Sequence, residues 1–172
     1  MQLEIPDEYF SEEELNNTPL RWKRFLEEFA GTDNFKFTTF ENTNKYNEMV
    51  IVAPIPFYSL CSHHLLTFFG DAKIAYIPDK KICGISKIPR TVRYFASRPQ
   101  QQERLTQQIA DFLMEKLEPK GVMVVMKARH MCMESRGIRS HASQTSTSAI
   151  RGAFEKLEVR TEALTLMNNG GQ

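Results

Sequence analysis

The sequence predicts an α+β fold in which a mainly antiparallel sheet carries two consecutive helices on one face. Strand-like apolar runs occupy both halves of the chain, at residues 48–57, 65–78 and 121–133. Between the second and third runs the apolar spacing becomes helical, over residues 92–98 and again over 100–117. Strands grouped on either side of a helix pair, without strict strand–helix alternation, are typical of α+β folds.

Length and composition indicate one domain. The chain has 172 residues, with 22 Lys and Arg against 21 Asp and Glu, so its net charge is +1. This balance does not favour nucleic acid or a membrane surface as a partner, and no apolar run approaches the ~20 residues of a membrane span. Three unevenly spaced cysteines do not form a disulfide framework. We therefore expect a cytoplasmic protein with an N-terminal arm at residues 1–17, one domain at 18–168 and a tail at 169–172.

The first predicted element is a helix that follows the arm. Thr18-Pro19 is typical of a helix N-cap and first helical position. Apolar residues from Trp22 to Phe29 recur on one face, and we expect the helix to end at Gly31. Arg21 and Arg24 lie off that face, where they are free to reach a partner or an anion.

The rest of the chain is divided by changes in apolar spacing. In order, the predicted elements are a polar loop at 32–47, a strand at 48–57, a turn at 61–64, a strand at 65–78, a hairpin-like reversal at 79–81, a short strand at 82–86, helices at 92–98 and 100–117, a buried strand at 121–133, a polar loop at 134–143, a strand at 145–154 and a short closing helix. Prolines in the first strand favour an edge or a bend there. Open strand edges must be paired or covered, which favours an oligomer.

Two short segments carry most of the metal-capable side chains. Cys61 and His64 are three residues apart, a turn spacing at which two ligands can converge, and His130 and Cys132 end the buried strand. Because side chains alternate along a strand, His130 and Cys132 are expected on the same face. The residues alone thus predict a zinc site with four donors from two remote segments. Cys83 is expected to be part of the core.

A second cluster lies where the short strand ends and a helix begins, at Ser86–Arg90. Free N–H groups and the positive end of the helix dipole attract anions at a helix N-terminus, and Lys87 and Arg90 add cations. We expect a phosphate site here, the alternative being a surface turn with two cations. Glu103 lies in the first turn of the long helix, where the dipole favours an acid in any case.

Five segments together resemble the GTP cyclohydrolase I family. They are Asn17-Thr-Pro-Leu-Arg21, Cys61-Ser-His-His64, Ile85-Ser-Lys-Ile-Pro-Arg90, Arg98-Pro-Gln-Gln-Gln-Glu-Arg-Leu-Thr106, and His130-Met-Cys-Met133 followed by Arg136-Gly137. The resemblance covers about residues 17–165, with the family's order and spacing from Cys61 onward. The resemblance is specific because it depends on all five segments together and not on any single motif.

This resemblance implies a tunnelling fold (T-fold) whose subunits form rings, typically a decamer, with sheets joined into a barrel and active sites between subunits. It implies a catalytic Zn²⁺ held by Cys61, His64 and Cys132, with His63 and His130 as acid–base groups. The residues implied to bind GTP are Arg21, Arg24, Ser86, Lys87, Arg90, Gln102, Glu103 and Arg136. Among them, the resemblance assigns the triphosphate to the Ser, Lys and Arg side chains and the guanine edge to Glu103, with the first two arginines supplied by a neighbouring subunit.

The implied reaction converts GTP to 7,8-dihydroneopterin triphosphate and releases formate. Zinc lowers the pKa of a water toward ~7 and so supplies a nucleophile for C8 of the base, while the two histidines move protons. Ser62 departs from the family's usual Cys-Glu-His-His. Two alternatives are a T-fold nitrile reductase of 7-deazaguanine synthesis, which needs a catalytic cysteine and a nicotinamide site, and a binding protein in which all four donors close around a structural zinc.

Overall fold

The computed structural model describes residues 6–30 and 35–169 of the chain. Its helices are α1 (Glu12–Phe29), α2 (Lys87–Ala96), α3 (Gln102–Leu117), α4 (Met131–Glu134) and α5 (Leu157–Asn169). Its strands are β1 (Thr39–Glu41), β2 (Val50–Cys61), β3 (Thr67–Ile77), β4 (Lys81–Cys83), β5 (Pro99–Gln100), β6 (Gly121–His130) and β7 (Thr145–Gly152). None of these described helices is long and apolar enough to cross a membrane. The predicted helix end at Gly31 and part of the predicted arm and tail, residues 1–5 and 170–172, lie outside the described residues.

Residues 1–32 form one compact unit, whose main described element is α1. The helix is capped by Ser11, whose hydroxyl accepts a hydrogen bond from the Glu14 N–H at 3.3 Å while the Glu14 carboxylate accepts one from the Ser11 N–H at 2.8 Å. This capping box is a strong N-terminal signal. The predicted start at Thr18 was therefore wrong, and Pro19 lies inside the helix rather than at its first position. The predicted domain boundary after residue 17 stays a prediction.

Residues 33–172 form the second unit, built on a five-stranded sheet in the order β5-β2-β3-β6-β7. All neighbouring strands are antiparallel except β5, which pairs in parallel with the last two residues of β2. The register between β2 and β3 shifts from Val52 to Ile55, around Pro54, in agreement with the predicted bend. The mainly antiparallel sheet is confirmed.

A separate two-stranded sheet differs from the prediction in two respects. β4 does not pair back onto β3 after the reversal at residues 79–81, but pairs with β1 through Phe40 and Ile82. β1 lies in the segment predicted to be entirely loop. Three residues are too few for a period-two pattern to stand out in the sequence, which is why β1 was missed.

The two faces of the main sheet pack against different helices. Even-numbered residues of β6, such as Val122 and Val124, pack with α2 and α3 in the larger core cluster. On the opposite face, Met123 packs with Phe154 and with α5 through Ala163. The predicted pair of consecutive helices on one face is therefore confirmed, and the site described next lies where β2 and β6 end.

Candidate active site

A tight turn between β2 and β3 brings Cys61 and His64 together. The carbonyl of Cys61 accepts hydrogen bonds from the N–H groups of His64 (3.2 Å) and Leu65 (2.8 Å). Leu65 adopts a left-handed conformation with φ of 53°. The chain reverses within these residues, so side chains three positions apart converge, as their spacing predicts.

Three metal-capable donors meet at this turn. The ligand atoms of Cys61, His64 and Cys132 all lie within 4.8 Å of one another. A tetrahedral zinc with Zn–S of ~2.3 Å and Zn–N of ~2.0–2.1 Å holds such atoms roughly 3.5–3.8 Å apart. Two thiols and one imidazole with a fourth position left open suit a catalytic zinc. His130, the fourth donor expected from the residues alone, is not in this group.

Cys132 reaches the site from a helical turn, not from a strand. β6 ends at His130, and Cys132 lies in α4. The strand-alternation argument is therefore right for His130 and wrong for Cys132. Burial raises the pKa of the Cys132 thiol, and the neighbouring Cys61 thiol raises it further. A cation bound between the two sulfurs would offset both effects.

An ion pair that the sequence reasoning missed holds α4 against β6. The Arg129 guanidinium donates two hydrogen bonds to the buried Glu134 carboxylate, one from Nε at 2.8 Å and one from Nη2. This bidentate pair spans the turn that contains Cys132. In the sequence, this ion pair is indicated by an Arg and a Glu that lie five residues apart on either side of a strand end.

His63 contacts a metal-capable residue and a glutamine. Its Nδ1 lies 3.7 Å from the Cys61 sulfur, and its Nε2 lies 3.2 Å from Gln101 Nε2. Its side chain is exposed. Gln101 was not among the expected site residues, although it directly precedes Gln102 and Glu103. His63 is therefore beside the donor cluster and accessible to a ligand.

His130 is fixed by a stacked ring and a buried amide. Its imidazole stacks on Phe68, its cross-strand partner, with ring centres 4.7 Å apart and an interplanar angle of 2°. Its Nε2 lies 2.7 Å from Gln102 Oε1. Burial lowers the pKa of His130, and the Glu103 carboxylate acts in the opposite direction. The Gln102 side chain is itself buried.

β3 and β6 approach each other closely next to this stacked pair. Gly70 is the partner of Ala128, two positions from the Phe68–His130 pair. A Cβ on residue 70 would lie 2.0 Å from the backbone oxygen of Lys127. Only a residue without a side chain fits this approach.

Arg136 is held at the site through a metal-capable residue. Its Nη1 lies 2.8 Å from Nε2 of His64. A guanidinium can only donate, so His64 accepts at Nε2 in this arrangement. The structure therefore places one of the residues expected to contact phosphate beside the three donors.

The start of α2 offers less to an anion than the sequence suggests. The N–H groups of Lys87 and Ile88 donate to the carbonyls of Gly84 (2.8 Å) and Ile85 (3.1 Å), and Pro89 has no N–H. The free backbone donors expected there are thus absent, because the preceding turn uses them. The side chains remain. Lys87 Nζ donates to the Lys36 carbonyl at 2.7 Å.

The other expected substrate contacts are exposed. The side chains of Arg90 and Glu103 make no hydrogen bond or ion pair within residues 6–30 and 35–169, and both are exposed. On α1, Arg21 pairs with Glu13 at 2.5 Å, and Arg24 is exposed. The structure thus brings together Cys61, His63, His64, Cys132 and Arg136, with His130 and Gln102 joined to each other nearby. The substrate roles of the rest stay predictions.

Three convergent donors, one fewer than a structural zinc site uses, lie beside two further histidines, and this arrangement is typical of an enzyme site that could hold a metal ion. The model of the GTP cyclohydrolase I family matches residues 1–168. The chain belongs to the GTP cyclohydrolase I family. This membership confirms the predicted enzyme class and, with the observed sheet and helix pair, the T-fold.

Individual relatives carry the same name. The GTP cyclohydrolase 1 of Aquifex aeolicus (strain VF5) is 58% identical over 156 residues, which span 90% of this chain and 85% of that protein. The GTP cyclohydrolase 1 of Campylobacter jejuni (strain RM1221) is 52% identical over 177 residues, spanning 99% of this chain and 92% of that protein. A solved structure of the archaeosine synthase QueF-Like in the apo form is 17% identical, with a TM-score of 0.49, over 61% of this chain and 94% of that one. That last likeness is too weak to carry an argument.

Proposed function

We propose that this protein hydrolyses and rearranges GTP to 7,8-dihydroneopterin triphosphate, with release of formate, at a zinc ion held by Cys61, His64 and Cys132. The observation that carries the proposal is the convergence of these three donors within 4.8 Å in a chain of this family. Three protein donors would leave room for a water on the ion. When bound, the zinc supplies an activated water for attack on C8 of the base.

The two histidines move protons at different stages. His63, exposed beside the Cys61 sulfur, is placed to protonate the base nitrogen next to C8 and so make that carbon electrophilic. His130, half-buried against Phe68, is assigned to the later rearrangement and ring closure. The division explains why neither imidazole needs to be a metal ligand.

The triphosphate anchors the substrate in the site and is not cleaved. We assign it to Ser86, Lys87, Arg90 and Arg136, whose side chains, rather than the backbone of α2, supply the donors. Lys87 keeps further donors besides the one given to Lys36, because an ammonium has three. Arg21 and Arg24 would come from a neighbouring copy of the chain.

Glu103 is proposed to read the guanine. Guanine presents N1–H and an amine on one edge, which a single carboxylate can accept together, whereas adenine leaves that carboxylate unpaired. Sites built on such hydrogen bonds can reject the wrong partner by ~10⁴-fold or more. The Glu103 side chain is exposed and makes no hydrogen bond or ion pair within the described part of the chain, so it is available for this role.

We also propose a ring-shaped homo-oligomer, a decamer, in which sheets of neighbouring subunits join into a barrel. Among the described residues, β7 pairs on one side only, with β6, and β5 contributes two residues at the other end of the sheet. Open edges of this kind favour pairing between subunits. The three free thiols fit a reducing compartment, and we place the enzyme in the cytoplasm.

The test combines metal analysis with product detection. Purified protein should contain about one zinc per chain and should convert GTP into a fluorescent pterin with one formate released per turnover. GDP and guanosine should be poor substrates, because losing two or three charge-assisted contacts removes ~1.5–3 kcal/mol each. ATP should be inert. Zinc-loaded protein that produces no pterin from GTP, or that treats GTP and guanosine alike, would contradict the proposal.

A further inference from the structure

Gln102 is a buried polar side chain directly beside His130. It is only 2% exposed, so water cannot complete its hydrogen bonds. Its Nε2 lies 3.0 Å from the Thr145 carbonyl, 3.1 Å from Thr147 Oγ1 and 3.3 Å from the Met126 carbonyl. Its Oε1 faces His130. The amide therefore connects α3 and β6 to the imidazole.

The proton positions around this amide follow from its neighbours. The Thr106 hydroxyl lies 2.7 Å from the main-chain carbonyl oxygen of Gln102. A carbonyl oxygen can only accept, so Thr106 donates this hydrogen bond. The 2.7 Å contact between the Thr106 and Thr147 hydroxyls must then use the Thr147 proton. Thr147 Oγ1 is left as an acceptor for the Gln102 side-chain N–H. These contacts assign the hydroxyl protons of Thr106 and Thr147.

Two independent acceptors thus hold the amide in one orientation. Turning it over would place Gln102 Oε1 against the Thr145 carbonyl, with no proton between the two oxygens. Oε1 must therefore face His130 Nε2, at 2.7 Å, and it can only accept. His130 must donate from Nε2. A neutral imidazole carries one proton, so Nδ1 is bare.

We propose that Gln102 is a positioning residue that locks His130 in the Nε2–H tautomer and leaves Nδ1 as the ring atom that exchanges a proton with the substrate. On this proposal Gln102 acts through His130, in place of the direct GTP contact that the family resemblance implies, because its side chain is only 2% exposed and its amide donors are bonded to protein groups. Phe68 fixes the plane of the ring, and Gln102 fixes its rotation and its proton. Within residues 6–30 and 35–169, Nδ1 makes no hydrogen bond, and no side-chain nitrogen without a partner is buried there, so Nδ1 is accessible to solvent. The role of the tautomer in turnover rests on the proposed function, whereas the tautomer itself does not.

The first test is kinetic and uses Gln102→Met, which keeps side-chain length and removes both the acceptor and the donors. We expect zinc content and KM for GTP to stay within ~2–3-fold of wild type while kcat for pterin formation falls by ~10- to 10⁴-fold, the upper figure being the cost of a wrong histidine tautomer in a Ser-His-Asp triad. The matched control is Gln108→Met on the same helix, which removes an acceptor for Gln100 Nε2 (2.8 Å) without contacting either histidine. Its kcat should be close to that of wild type.

A double-mutant cycle separates positioning from substrate contact. If Gln102 acts only through His130, then Gln102→Met adds no further loss in a His130→Ala background, measured as residual pterin formation. A rise in KM for Gln102→Met, or a loss that persists at full size without His130, would mean that Gln102 contacts the substrate and would overturn the proposal.

The second test needs no activity. The chain has four histidines, so ¹⁵N-histidine labelling gives few nitrogen signals, and the His130→Ala variant identifies those of residue 130. In the wild type, Nε2 of His130 should be protonated and Nδ1 unprotonated at mildly alkaline pH. A protonated Nδ1 would overturn the proposal even if the Gln102 variant does not fold. If the wild type shows this tautomer but makes no pterin from GTP, the proposed function fails and the tautomer assignment stands.

Discussion

Cys61 and Cys83 occupy matching positions and have different chemistry. Each is the last residue of its strand, each is 7% exposed, and both belong to the same core cluster. Cys61 meets His64 and Cys132, whereas Cys83 shares a hydrogen bond with the hydroxyl of Tyr76. Burial raises the pKa of Cys83, which keeps that thiol protonated. The surrounding side chains, and not the degree of burial, decide which cysteine could hold a metal ion.

The largest expected effect comes from removing the site thiol. Cys61→Ala should abolish zinc binding and GTP turnover together, a loss beyond the ~10–100-fold that follows from removing a residue that only hydrogen-bonds a metal ligand. Metal analysis and pterin fluorescence on the same preparation measure both. A full zinc complement in Cys61→Ala would contradict the proposed difference between Cys61 and Cys83.

The next effect separates the histidines from the thiols. His63→Ala and His130→Ala should keep zinc, since neither ring belongs to the convergent donor group, but turnover should fall by the ~10²–10⁴-fold typical of a lost acid–base group. Zinc content per chain is the deciding measurement. An empty metal site in either variant would mean that the histidine is a ligand after all.

Cys83→Ala is the matched partner of Cys61→Ala and should act on stability alone. It leaves a small cavity and removes the partner of Tyr76, so we expect a loss of about 1–3 kcal/mol in the free energy of unfolding. Denaturant unfolding followed by circular dichroism measures this loss, with zinc and activity unchanged. Reduced zinc in Cys83→Ala would contradict the separation between the two cysteines.

The smallest effect appears only at alkaline pH. Burial raises the pKa of Tyr76 to about 12, with a further contribution from Cys83. The unfolded phenol has a pKa of ~10, so the stabilisation is complete below about pH 10 and is lost as the pH rises toward 12. Tyr76→Phe should therefore lose less stability than wild type between about pH 9 and about pH 11, as measured by urea unfolding. Cys83 still titrates in this variant, so the slope should shrink without vanishing, and equal slopes would contradict the assignment.

The sequence predicted the sheet and the helix pair better than it predicted the element ends. Apolar periodicity is strong in long segments such as β3, β6 and α3, and these appear where expected. β1 is too short to show a period. The start of α1 was misplaced because the prediction used Thr18-Pro19 and did not consider the capping box that Ser11 and Glu14 form.

For the site, spacing predicted that donors from the two segments would meet, but it also counted His130 among them, which the structure does not. Cys61 and His64 converge through a local turn, and Cys132 arrives from α4, although the alternation argument used for it does not apply there. The free N–H groups expected at α2 depend on which carbonyls the preceding turn supplies. The partners of Gln102 lie 24 to 45 positions away in the chain, and no local pattern encodes them.

The close approach of β3 and β6 restricts substitution at Gly70, a residue that has no side chain. Any Cβ there would push against the Lys127 carbonyl and separate β3 from β6 just before His130 and Cys132. In a library of all single substitutions grown under selection for the enzyme, variants at position 70 should be depleted as strongly as those at Cys61. The control is Gly84, where an added Cβ meets nothing within 4 Å and substitutions should survive. Position 70 would then tolerate substitution as poorly as the proposed metal ligands do, because of steric exclusion and not because of metal binding.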